Sequence, residues 1–80
     1  MSIPDTGRTS IDLDEAARQL ELAAHDAQVA YDCISLGDLD WAHTNAITAR
    51  AEAAAAESAL RAALAREQMQ PAQAATARSI

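Results

Sequence analysis

Two runs of helical periodicity, separated by a single glycine, organise this chain. Stepping about 100° per residue from Leu13 puts Leu13, Leu20, Ala24, Ala27, Tyr31 and Ile34 on one side of a first helix. Leu22, Val29, Cys33 and Leu36 fall on the opposite side. Between the stripes lie polar flanks, one with Asp14, Glu21, His25, Gln28 and Asp32, the other with Glu15, Gln19 and Asp26. After Gly37 the pattern changes to small residues at alternating steps of four and three: Ala42, Ala46, Ala49, Ala53, Ala56, Leu60, Ala63 and Glu67. That is a heptad seam built mostly from alanine, the best helix former and the smallest apolar side chain.

The spacing predicts helices over about 13–36 and 39–70. Asp12 fits an N-cap with Glu15 three places on, and Asp14 and Glu15 suit the positive end of the helix dipole. Gly37 fits the left-handed residue that closes the first helix, and Asp38 fits the cap of the second. So short a connection makes the helices antiparallel neighbours. Residues 1–11, with Pro4 and Gly7, read as a mobile arm, and residues 71–80, after Pro71, as a flexible Ala/Gln-rich tail. The fold expected is an all-α antiparallel two-helix hairpin. Its two stripes on the first helix ask for two partners, so the hairpin is expected to dimerise into a four-helix bundle.

Composition strengthens that expectation. Half of the 80 residues are apolar, but 22 are alanine, and phenylalanine is absent. Each buried CH₂ stabilises by only about 0.8 kcal/mol, so a lone hairpin has a thin core. Association is the natural remedy.

The formal charge of −6 is uneven. Residues 1–40 hold nine carboxylates and two arginines, or −7, and residues 41–80 hold three glutamates and four arginines, or +1. Such a chain repels phosphate backbones and anionic bilayers, which argues against direct nucleic-acid or membrane binding and favours a protein with a basic surface. No signal-like or membrane-spanning stretch is evident, and a cytoplasmic location is the default expectation.

Candidate chemistry is sparse. Cys33 is the only cysteine, and with His25 and His43 it makes no ligand spacing for zinc. Neither histidine has a nucleophile or carboxylate cluster beside it, since adjacent helical residues point about 100° apart. No catalytic, cofactor or metal site is expected. Tyr31 is expected in the core. Leu22, Val29, Cys33 and Leu36 are the candidate partner seam. Trp41 either covers the turn by packing on Leu36 or anchors a partner. Asp14, Glu21 and Asp32 typify an acidic surface, either plain solvated face or recognition surface.

The stretch from Leu36 to Ala42, Leu-Gly-Asp-Leu-Asp-Trp-Ala, resembles the turn and second-helix start of a tetratricopeptide repeat. Ala42 and Ala49 fit its recurring alanines, and Ala30 its small residue in the preceding helix. Asp26 stands where that pattern has a large apolar residue, no proline closes the unit near Ala54, and the second helix is too long. The layout is also similar to small secreted helical hairpins with a Trp-x-Gly turn, but here the glycine precedes the tryptophan. The functional expectation is therefore general: a non-enzymatic protein–protein interaction module, serving as adaptor, inhibitor or small assembly subunit. The alternatives are an acidic decoy for a DNA-binding protein, or a structural coiled-coil subunit of a phage or envelope assembly.

Overall fold

The computed structural model describes the backbone of residues 3–68 and the side chains of residues 10–68. Two helices, α1 (Ile3–Leu36) and α2 (Leu39–Gln68), pack antiparallel as a hairpin. α1 begins well before the expected start near Leu13, so residues 3–11, read above as a mobile arm, continue the helix. Pro4 is compatible with this because a first-turn residue has no intrahelical partner for its N–H. Asp12 is consequently inside α1 and caps nothing. The tail at 71–80 lies outside the described residues.

The turn forms as the glycine and aspartate imply. Gly37 has φ +79°, the left-handed region that is cheap only without a Cβ. Its N–H donates to the Ile34 carbonyl at 3.0 Å, and the Asp38 N–H donates to the Cys33 carbonyl at 2.9 Å. This pair of bonds is a Schellman closure. Asp38 then opens α2: its Oδ1 accepts from the Trp41 N–H at 3.1 Å, and its carbonyl accepts from the Ala42 N–H at 3.0 Å. One residue in the left-handed region and one cap reverse the chain.

The inter-helix seam departs from the expected stripes. On α1 the buried line is Ala16, Ala23, Ala30 and Cys33, interleaved with half-buried Asp12, Gln19 and Asp26. Its alanines run between the two bulky stripes rather than along either, and only Cys33 comes from a stripe. On α2 the buried line is Ala42, Ala56 and Ala63, interleaved with half-buried Asn45, Ala49, Glu52, Ala59 and Arg66. Of the α2 positions expected in the seam, Ala42, Ala56 and Ala63 are buried and Ala49 is half-buried, whereas Ala46, Ala53 and Leu60 are exposed. The physical reason lies in spacing. Interaxial distance is set by the side chains at the contact, and alanine permits the near end of the 8–10 Å range. Alanines meeting every seventh residue let the backbones approach, and leucines are displaced to the flanks.

Two cross-helix pairs report the register. Arg66 Nη1 donates to Asp12 Oδ2 at the open end, and Glu52 meets Asp26 near the middle. The same register sets Gln19 level with Ala59 and Cys33 level with Asn45. Among the described residues the buried apolar set is six alanines and Cys33, and no large side chain is fully buried.

Candidate functional site

The bulky apolar residues that the seam displaces make the candidate site. Leu13, Leu20, Ile34, Leu60 and Leu64 are all exposed. The seven-residue repeat carries Leu13, Leu20, Ala27 and Ile34 along one flank of α1, and of these Leu20 meets Ala53, Leu60 and Leu64 of α2. Between the helices this flank forms a groove of about 370 Å³, lined by Leu20, Ala53, Ala56, Glu57, Leu60, Arg61 and Leu64. Its walls are aliphatic. Its polar rim is internally satisfied, since Arg61 Nη2 donates to Glu57 Oε2 at 3.0 Å, one helical turn apart.

The residues expected to form a partner seam are placed differently from one another. Leu22 and Leu36 are exposed, Leu36 by 82%, and Val29 is half-buried on the flank opposite the groove. Cys33 is buried inside the hairpin seam, so it contributes to the α1–α2 contact and not to an outer face. Trp41 is 58% exposed, and with Leu36 so open it is not sealed beneath a cover at the turn. Tyr31, expected in the core, is 67% exposed on the groove side of α1. Asp14, Glu21 and Asp32 are exposed on the outer side of α1, with Asp32 Oδ1 accepting from Gln28 Nε2 at 3.0 Å.

Polar groups in and beside the seam have identifiable roles. Glu15 accepts from Gln19 Nε2 at 2.8 Å and from Arg18 Nη2 at 3.1 Å. The Gln19 bond first, and then the Arg18 guanidinium, hold its carboxyl below the usual glutamate value. Glu52 is shifted the other way. Removal from water is the main cause, and the facing Asp26 carboxyl adds to it, against a weaker opposing effect of His25. Glu52 Oε1 is buried with no hydrogen-bond donor. His25 Nδ1 lies 3.2 Å from Asp26 Oδ1, so these neighbours do meet, contrary to the expectation from their angular separation. The imidazole is largely exposed, whereas the Asp26 side chain is mostly covered.

Among the described residues no group of three or more His, Cys, Asp or Glu side chains is arranged to hold a metal ion. No helix among them is long and apolar enough to cross a membrane. The sequence reading missed the Leu20–Leu60–Leu64 groove and the Asp26–Glu52 contact. The available signal was the seven-residue spacing of Asp12, Gln19, Asp26 and Cys33, interleaved with Ala16, Ala23 and Ala30 and mirrored across Gly37. Comparison with protein-family models, with curated proteins and with solved structures finds no match to this chain.

Proposed function

We propose that this hairpin is a non-enzymatic protein–protein interaction module that works as a homodimer. Two copies pair their grooved flanks into a four-helix bundle and leave the acidic outer side of α1, with Asp14, Glu21 and Asp32, available to a protein with a basic surface. The observation that carries the reading is the inversion of burial: alanine fills the seam while Leu13, Leu20, Leu60 and Leu64 remain open on one flank. An apolar flank of this kind is usually an association surface. The grooved flank is the better candidate because both helices supply leucines to it. Opposite, α2 sets Thr48, Ala55 and Ala62 beside Leu22 and Val29, and its one bulky residue there, Trp41, lies at the turn end near Leu36.

Sedimentation velocity over a range of concentrations tests this. The wild-type chain is expected to be dimeric, and Leu20→Asp with Leu60→Asp to be a helical monomer. Fully burying a leucine is worth about 1.5–3 kcal/mol, so losing two weakens the dimer by at least about 100-fold. Val29→Asp, on the other flank, is expected to remain dimeric. A wild-type chain that is monomeric and fully helical at high micromolar concentration defeats the reading. Dissociation by Val29→Asp alone moves the interface to the opposite flank.

A further inference from the structure

We propose that Asp26 and Glu52 form a proton-operated latch, in which the hairpin closes more firmly when one proton is taken up between the two carboxyls. The geometry is a carboxylate from α1 against a carboxylate from α2, midway along a seam whose buried side chains are alanines and Cys33. The Asp26 side chain is only 19% exposed, and Glu52 Oε1 is buried without a donor. At the open end of the same polar line, Asp12 has Arg66 as its donor. At the middle both cross-helix partners are carboxylates: Asp26 Oδ1 has the exposed His25 ring beside it, whereas Glu52 Oε1 has no protein donor until a proton arrives.

Among the described residues α1 is the only element packed on this face of α2, and its ionisable groups toward Glu52 are Asp26 and His25. Asp26 disfavours charge on Glu52, and His25, when protonated, favours it. The net direction is upward, led by burial. The proton comes from bulk water, converts Glu52 to a donor, and completes an O–H···O⁻ bond to Asp26. No other bond changes.

The linkage has a definite sign. A glutamate whose value is raised in the folded state binds more protons folded than unfolded, between its ordinary value and its folded one. Its stabilising contribution is complete below the unfolded value and is lost as pH rises through the folded value. Acid therefore tightens the hairpin in the range just above the ordinary glutamate titration, and neutral pH loosens its middle. The docking flank is assembled from both helices, so its rigidity follows the latch.

The test is thermal unfolding by circular dichroism from pH 5 to pH 8 at fixed protein concentration, for wild type, Glu52→Gln and Glu21→Gln. Glutamine is isosteric, and its amide can donate to Asp26. Glu52→Gln is expected to melt higher than wild type at neutral pH, with the difference shrinking toward pH 5. Glu21→Gln removes the same charge from an exposed site and is expected to keep the wild-type pH profile. Carbon-13 NMR titration of the Glu52 carboxyl gives a second reading, with a midpoint expected above the ordinary glutamate value. Parallel melting profiles for wild type and Glu52→Gln overturn the proposal, as does a Glu52 midpoint at or below the ordinary glutamate value.

Discussion

Replacing Ala23 with leucine asks whether the seam depends on close backbone approach. Ala23 is buried against α2 at the level of Ala56, which is 1% exposed, and it does not line the groove that could absorb a larger side chain. Leucine adds three carbons where the helices meet through methyl groups. Were there room, that apolar volume would stabilise. In a filled contact it forces strained rotamers or separates the helices, at a cost of about 1–3 kcal/mol. Separation also strains the Asp12–Arg66 pair at the open end. Taking about 2 kcal/mol, the melting temperature should fall by roughly 8–16 °C for a domain of this size. Ala51→Leu is the matched control, identical in composition but on the exposed face of α2. It carries only the intrinsic helix-propensity difference, about a few tenths of a kcal/mol. Both variants are measured by far-ultraviolet circular dichroism melts at one concentration. If Ala23→Leu melts with Ala51→Leu, the seam has slack and the close-approach argument is wrong.

The turn yields two further expectations. Gly37→Ala meets no atom within 4 Å of the added Cβ, so its effect isolates the left-handed backbone. Urea unfolding should show a loss of about 1–2 kcal/mol. Asp38→Ala removes the acceptor for the Trp41 N–H and should cost about 1 kcal/mol, with Asp38→Asn or Asp38→Ser retaining most of it. Hydrogen exchange of the Trp41 amide checks the local origin of that loss, since exchange there should accelerate more than at mid-helix alanines.

Much of the architecture was open to sequence reasoning because it rests on local chemistry. Gly37 and Asp38 announce a helix end and a helix start through backbone rules that act within four residues. Ala42, Ala49, Ala56 and Ala63 keep a seven-residue period that only one helix face can satisfy. The α1 seam was not legible in the same way. Ranking positions by bulk selects Leu13, Leu20 and Ile34, whereas the contact selects whatever lets two backbones approach, and that is Ala16, Ala23 and Ala30. The polar residues between these alanines argue against burial when α1 is read alone. Their places make sense only with α2 alongside: Asp12 has Arg66 as its donor, whereas Asp26 meets Glu52. Displacement of the leucines, and with it the groove, follows from that choice and could not be read before it.

A seam of alanines holds little information about register, because sliding one helix by seven residues would again set alanine against alanine. The turn supplies what the seam lacks. The Schellman bonds of Gly37 and Asp38 and the cap on Trp41 leave no spare residues in the connection, so a slide of one heptad would have to unwind both helix ends. Such a slide would bring Gln19 level with Glu52 and Asn45 level with Asp26, giving each carboxylate an amide donor. The hairpin keeps the other register, in which Asp12 meets Arg66 and the two carboxyls face each other. Local backbone bonds at one end thus impose an unfavourable contact in the middle that the side chains cannot escape by sliding. A proton is the remaining relief at that site, and this is why the tightness of the turn and the pH response of the seam are two consequences of the same connection.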